Sequence, residues 1–305
     1  MKIAVFGGSG FVGSYLVEEL LNAGHDPIVL VRNPEKAEFI SDSVKVVGDF
    51  FNTSDILRVI KNADAVIYLV GIIREFPKRK ITFEELHFIS ARRIMNLALK
   101  CGIERFILMS ALGVNSFGTP YQKTKFLAEQ YLKFSGLKYT IIRPSVIFGD
   151  PRSKFEFCSQ LKKQLIDIPL PAPAFFKGLN FIRAGKFNFA PVHVKDVSRI
   201  IVKALEHDDA VGKIMELGGP DVFSWNQILK MIASAAGKSK WLIPVPVWGP
   251  EIAAFFLDRF LWFPVNRHQL IMLVEGSSCD SSALFDTYGI KAIPFNNENL
   301  FYLNQ

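Results

Sequence analysis

The chain opens on KIAVFGGSGFVGSY, residues 2–15, and this stretch leaves few folds open. Ile3, Ala4, Val5 and Phe6 form an unbroken apolar run, the pattern of a strand covered on both faces within a parallel sheet. Glycines follow at 7, 8, 10 and 13, and apolar residues then recur at helical spacing through Val12, Leu16 and Leu20, with Val17 and Leu21 alongside. Gly7 and Gly8 permit a turn that a Cβ would obstruct, Gly10 lets the backbone approach a pyrophosphate, and Gly13 lets the helix pack tightly on the strand. The free N–H groups and positive dipole end of that helix then point at the anion. We therefore expect a dinucleotide to bind at Gly7, Gly10, Phe11, Val12 and Gly13, because the strand before and the helix after supply the context that glycines alone lack.

The second apolar strand, PIVLV at 27–31, ends at Arg32. An acid at this place binds a ribose 2′-hydroxyl, whereas an arginine accommodates a 2′-phosphate. Arg32 thus favours NADP(H), with Lys36 able to assist from the next turn and NAD(H) as the alternative. A third strand at 44–47 leads to Gly48 and Asp49, where such folds meet the adenine ring. A helix at 53–61 precedes a fourth strand, AVIYLV at 65–70, closing at Gly71. Strands alternating with helices at this spacing specify an α/β fold, a Rossmann-type doubly wound parallel sheet, with ligand beyond the carboxyl ends of the strands. The basic loop REFPKRK, residues 74–80, lies beside that edge and reads as a solvated loop or a docking site. Thr82 and Glu85 form a capping-box pattern opening a helix that runs through Lys100 to Gly102.

The fifth strand, 103–109, delivers Ser110. Tyr121 and Lys125 then stand at i and i+4 on a helical segment and share one face. An ordinary phenol titrates near pH 10, so a tyrosine that exchanges protons at neutral pH needs a neighbouring cation, which Lys125 can supply. Ser110 can hold a carbonyl oxygen by hydrogen bond. The order of glycine turn, strands, strand-end serine and Tyr-x-x-x-Lys resembles the short-chain dehydrogenase/reductase superfamily. LKYTIIRPSVIF (137–148), with Arg143 and Pro144, and PVHVKDV (191–197) are similar to signatures of its extended and atypical members. ITFEELHFISARRIMNLALKCGIERFILMSALGV, YQKTKFLAE, IIRPSVIFG, ELGGPDVFSW and PVNRHQLIMLVEG narrow the resemblance to one atypical branch. That branch contains the NADPH-binding accessory subunit of respiratory complex I and its bacterial relatives.

The resemblance implies an NAD(P)-binding fold with a small, mostly helical C-terminal lobe. It also implies catalytic roles for Ser110, Tyr121 and Lys125, and cofactor contacts from Lys125 and Pro144. Some relatives of the branch are linked to quinone or other isoprenoid chemistry. Two departures stand out: only ten residues separate Ser110 from Tyr121, and His87 stands where extended enzymes commonly have asparagine. Three functions follow as expectations. One is an NADPH-dependent oxidoreductase acting on an apolar carbonyl or quinone-like substrate. Another is a non-catalytic, NADPH-stabilised accessory subunit of a respiratory NADH:quinone oxidoreductase. The weakest is a sugar-nucleotide epimerase or dehydratase.

We expect a dinucleotide-binding domain over 1–150 and a C-terminal lobe over 151–305, with elements at about 186–217 returning to the first domain. In that lobe a helix is expected at 152–164, a strand at 211–217 and a helix at 224–236. Asp196 is expected to cap a helix through Leu205. The proline-punctuated stretch from Pro169 through Phe175, Phe176, Phe181, Phe187 and Phe189 could roof an apolar pocket or pack as core. WGPEIAAFFLDRFLWFP, 248–264, is too short and too charged to span a bilayer, but as a helix it could face a membrane, face a partner protein or lie buried in the lobe.

Half of the 305 residues are hydrophobic, enough for a large core, which argues against disorder. Cys101, Cys158 and Cys279 lie far apart without a CxxC pair, which argues against a disulfide framework or metal site and reads as buried small residues in a reducing compartment. The net charge of +7 reads as an ordinary basic surface that could favour anionic lipid, with no nucleic acid among the expected partners. The N-terminal apolar run is too short for a signal peptide, so a cytoplasmic location is expected, peripheral on the inner face of a membrane if the lobe docks there.

Overall fold

The computed structural model describes residues 1–37, 40–41, 44–176, 178, 181–248 and 267–304. The chain forms two compact units. The first comprises Met1–Pro144, Val194–Leu217 and Asp286–Ile290, and the second Ser145–His193, Gly218–Phe285 and Lys291–Gln305.

The first unit is built on a parallel sheet of seven strands: β1 (Lys2–Phe6), β2 (Asp26–Val31), β3 (Lys45–Val47), β4 (Ala65–Tyr68), β5 (Arg105–Met109), β6 (Lys138–Pro144) and β7 (Lys213–Leu217). Their spatial order is β7-β6-β5-β4-β1-β2-β3. The chain therefore builds outward from β1 to β3, then returns to the other side of β1 with β4, and the reversal opens a crevice at the carboxyl ends of β1 and β4. Both strands are sealed on both faces: Ile3 to Phe6 and Ala65 to Tyr68 are at most 1% exposed. The sheet is flanked by the α-helices α1 (Phe11–Asn22), α2 (Thr53–Ile60), α3 (Ser90–Lys100), α4 (Pro120–Lys133) and α5 (Val194–Glu206).

Local chemistry sets where these helices begin. The Asn52 side chain accepts the Ser54 N–H to start α2. Thr119 and Gln122 form a reciprocal capping box on α4, with Pro120 in its first turn. Thr82 does accept the Glu85 N–H at 3.1 Å, but the expected helix start is a π-helical turn, Glu84–Ile89, before α3. Asp196 sits inside the first turn of α5 rather than at its cap, and is fully buried.

In the second unit the helix expected over 152–164 is confined to Phe157–Leu161, followed by a π-turn at Lys162–Ile166. Arg152 and Ser153 have positive φ, which breaks a helix there. Glu156, buried, caps the short helix by accepting the N–H groups of Cys158 and Ser159. The strand Ala172–Phe176 pairs in parallel with Leu242–Pro246, a ribbon with no counterpart among the expected elements. Phe175 and Phe187 stack on Trp225, and Phe189 tilts against it, so these three rings are core, whereas Phe181 is exposed. Cys158 is buried as expected, but Cys101 is exposed because it stands just beyond the last turn of α3. Residues 249–264, the contact segment expected after Trp248, lie outside the described residues. Among the described residues no helix is long and apolar enough to cross a membrane.

Candidate dinucleotide site

The glycine turn sits at the reversal between β1 and β4. Gly7 adopts φ +90°, and a Cβ on it would meet the Leu69 carbonyl carbon and Val70 nitrogen at 3.0 Å, so β4 passes directly against the turn. Gly10 donates to the Gly7 carbonyl at 3.0 Å, and Ser14 to the Gly10 carbonyl at the same distance. Gly13 is the tightest position: its Cβ would lie 2.2 Å from the Gly7 oxygen and 2.5 Å from Gly8 Cα. Only glycine lets α1 start so close to the strand. Gly10 precedes α1 without any side-chain cap, which leaves the N–H groups at Phe11, Val12 and Gly13 for an anion.

Further along the crevice the Arg32 guanidinium lies 5.9 Å from the Phe50 ring centroid, at the exposed end of β2. Asp49 accepts the Phe51 N–H at 3.0 Å and donates its own N–H to Asp55, so this acid shapes the loop after β3. The Lys36 side chain lies outside the described residues.

At the other end β5 and α4 converge. Ser110 is 3% exposed, and its Oγ has no hydrogen-bond partner among the described residues. It shares a narrow pocket with Tyr68, Val70, His87, Met109 and Lys125. Lys125 is buried and donates to the Met109 carbonyl at 3.2 Å; burial lowers its pKa from 10.5 to about 8, against a smaller upward pull from Glu129. The Lys125 Nζ lies 5.6 Å from the Tyr121 ring centroid. Tyr121 is partly buried, edge-on to Phe83 at 5.7 Å and to His87 at 5.1 Å; desolvation raises its pKa, the opposite of the lowering expected from a neighbouring Lys125 charge. Ser110 and Lys125 thus share a pocket, whereas Tyr121 stands outside its lining, against His87 and Lys125.

His87 was legible only as a departure from a family pattern. In the fold it is a built part of the pocket. Its Nε2 accepts the Ile72 N–H at 3.1 Å, so the ring proton is assigned to Nδ1, which donates to Thr124 Oγ1 at 3.1 Å. Burial and then the Lys125 charge push its pKa well below the usual histidine range, so it stays neutral. A Cβ at Gly71 would sit at ordinary contact distance, 3.6 Å from Lys125 Nζ and 3.8 Å from His87 Nε2, so Gly71 borders both groups. Pro144 ends β6 and accepts the Leu112 N–H at 2.9 Å, holding the loop that follows Ser110.

Two further residues went unread in the sequence. Glu129, one turn beyond Lys125 and fully buried, is gripped in bidentate fashion by Arg143, with Nε to Oε1 at 2.9 Å and Nη2 to Oε2 at 2.6 Å. Its i+4 spacing from Lys125 was the available signal. Tyr68 donates to the Leu86 carbonyl at 2.5 Å and walls the pocket from β4.

These features fit a dinucleotide: a cradle that any Cβ would fill at one end, and a partnerless buried hydroxyl beside a buried ammonium at the other. The comparisons agree with that fit. Residues 7–165 match the model of the NAD(P)H-binding family. The chain is 32% identical over 239 residues to the Arabidopsis thaliana mitochondrial NADH dehydrogenase [ubiquinone] 1 alpha subcomplex subunit 9, covering 75% of this chain and 56% of that protein. It is 27% identical to the Neurospora crassa NADH-ubiquinone oxidoreductase 40 kDa subunit, covering 86% of this chain and 67% of that one. The chain thus spans a little over half the length of the first relative and two thirds of the second. In fold it resembles the Thermus thermophilus UDP-glucose 4-epimerase complex with NAD, with a TM-score of 0.73 and 19% identity across 100% of this chain and 98% of that one. The Rossmann sheet, the glycine cradle and the family match together show that the chain belongs to the NAD(P)H-binding family of extended and atypical short-chain dehydrogenase/reductases.

Proposed function

We propose that the chain is an NADPH-dependent oxidoreductase acting on an apolar carbonyl or quinone-like substrate. The observation that carries this reading is the partnerless Ser110 hydroxyl, 3% exposed, in one pocket with the buried Lys125 ammonium. When bound, the reduced nicotinamide supplies a hydride. Ser110 donates a hydrogen bond to the substrate oxygen and fixes its position. Tyr121, a neutral phenol at pH 7, gives its proton to that oxygen, and Lys125 stabilises the phenolate that remains. Tyr121→Phe is expected to abolish NADPH-dependent reduction of short-chain quinones while NADPH binding persists; unchanged turnover rules out the assignment.

Arg32 supports a preference for NADP(H), with NAD(H) as the weaker ligand. Its guanidinium stands at the end of β2, where a 2′-phosphate would lie.

A second reading has its own support. The Arabidopsis and Neurospora relatives are named as subunits of NADH-ubiquinone oxidoreductases, and His87 packs against Tyr121 in a way that restricts the phenol. Here the chain is an accessory subunit peripheral to a membrane-bound respiratory complex, and the dinucleotide stabilises its fold by mass action without turnover. Copurification with a large membrane complex, together with an inactive wild-type protein that retains NADPH, supports this reading. A wholly soluble monomer that turns over quinones refutes it.

A further inference from the structure

In the second unit, the ribbon formed by Ala172–Phe176 and Leu242–Pro246 is closed along its first strand and open at its start. Ala172, Ala174 and Phe175 are buried, and Trp225 Nε1 donates to the Pro173 carbonyl at 2.8 Å. Large apolar side chains stand in the open where the two strands begin. At the start of the ribbon Leu170 is 63% exposed and Trp241 81%, with Ile168 and Ile243 also exposed. The Ala172 N–H donates to the Trp241 carbonyl at 2.8 Å, which sets Trp241 beside the Leu170–Pro171 segment.

This apolar edge is held in a cationic frame. Lys240 Nζ donates to the Ile166 carbonyl at 3.1 Å and also to that of Ile168, tying the 166–170 segment to the start of the second strand. Lys238 bonds Asp167 at 2.6 Å and Lys162 reaches the same carboxylate at 3.3 Å. Lys163 is exposed beside them. Within 162–170 and 238–243, four lysines accompany the single acid Asp167.

We propose that this edge is a docking surface for an anionic phospholipid bilayer. Three features select that occupant. Pro171, Pro173, Pro244 and Pro246 remove backbone donors along both strands, so a third strand finds few partners and β-addition is disfavoured. A second copy of the chain would bring lysines against lysines. An exposed tryptophan flanked by aliphatic residues and lysines matches the headgroup region, where the indole lies at the interface, the aliphatic tips enter the acyl boundary, the Lys163 ammonium reaches lipid phosphate and the three tethered lysines add positive field. The proposal goes beyond the assigned chemistry and does not depend on it: the glycine cradle and the pocket of Ser110 and Lys125 belong to the other unit.

The test is flotation of the full chain with vesicles of phosphatidylcholine alone and of phosphatidylcholine containing about a third phosphatidylglycerol. Binding is expected to the anionic vesicles and to be weaker by about tenfold or more on the neutral ones or at high salt. Leu170→Ser combined with Trp241→Ser is expected to lower partitioning by about tenfold or more. Lys163→Glu should weaken it at low salt. Because these side chains are exposed, the variants should keep the wild-type melting temperature and NADPH affinity, which separates lost docking from lost folding. Absence of binding to anionic vesicles, equal binding to neutral ones, or full partitioning by the double variant overturns the proposal, whatever protein then covers the edge. A protein that floats with vesicles yet reduces no quinone leaves it standing and refutes only the oxidoreductase reading.

Discussion

Lys125 makes the site chemically competent at a cost to the fold, and Lys125→Met exposes that trade. Lys125 is 6% exposed, and among the described residues the direct bond of its ammonium to the fold is to the Met109 carbonyl at 3.2 Å. Lowering its pKa from 10.5 to about 8 corresponds to about 3 kcal/mol of disfavoured charge at neutral pH. The lost hydrogen bond offsets about 1 kcal/mol of this, so the ligand-free methionine variant should be more stable by about 2 kcal/mol at pH 7, a rise in melting temperature of roughly 5 °C. The pH dependence has a definite sign. A lysine with a depressed folded-state pKa destabilises the fold fully below that pKa, and the penalty disappears as pH rises toward its unfolded value. The gap between variant and wild type should therefore narrow from about pH 8 to 10.5. Cofactor affinity should move the opposite way: the variant binds NADPH about tenfold to a hundredfold more weakly, and wild-type affinity declines as pH rises through about 8. Thermal unfolding of the ligand-free proteins, paired with NADPH fluorescence titration across this range, measures both. A variant less stable at pH 7, or a gap that stays constant with pH, refutes the reading of Lys125 as a buried cation held in readiness for a ligand.

Arg143→Met leaves the fully buried Glu129 without its bidentate partner and should cost about 3–5 kcal/mol in urea denaturation, whereas adding Glu129→Gln should recover most of the loss. Gly13→Ala forces a Cβ to 2.2 Å from the Gly7 carbonyl oxygen; it should cost about 1–3 kcal/mol and remove NADPH binding, read by thermal unfolding and titration. Arg32→Asp should shift the ratio of NADPH to NADH affinity toward NADH, and an unchanged ratio would show that Arg32 does not contact the 2′-phosphate.

Much of the first unit was legible because its signals are local. The apolar run at 3–6, the glycines and the Val12–Leu16–Leu20 periodicity all act within one strand-turn-helix, and no distant residue is needed to interpret them. The Tyr121–Lys125 pair could be read for the same reason, since i and i+4 share a helix face. What could not be read depends on contacts remote in sequence. His87 gains its role from Ile72 and Thr124, partners 15 and 37 residues away, and the bidentate grip on Glu129 comes from a neighbouring strand. The π-turn at Glu84–Ile89 was hidden because its apolar spacing still looks helical, and the helix expected over 152–164 failed where Arg152 and Ser153 take positive φ. In the second unit, prolines at alternate positions masked a paired ribbon: proline marks a run as unpaired, yet two such runs can pair through the donors that remain.

We propose that a dinucleotide lies in the crevice between β1 and β4, from the glycine turn to Lys125. Calorimetric titration of NADPH into the nucleotide-free chain at pH 7, with Gly13→Ala measured alongside, tests it most directly. One site per chain with micromolar or tighter affinity, lost in the glycine variant and weaker for NADH, is the expected result. No heat of binding up to about millimolar NADPH, or equal binding by Gly13→Ala, would contradict it.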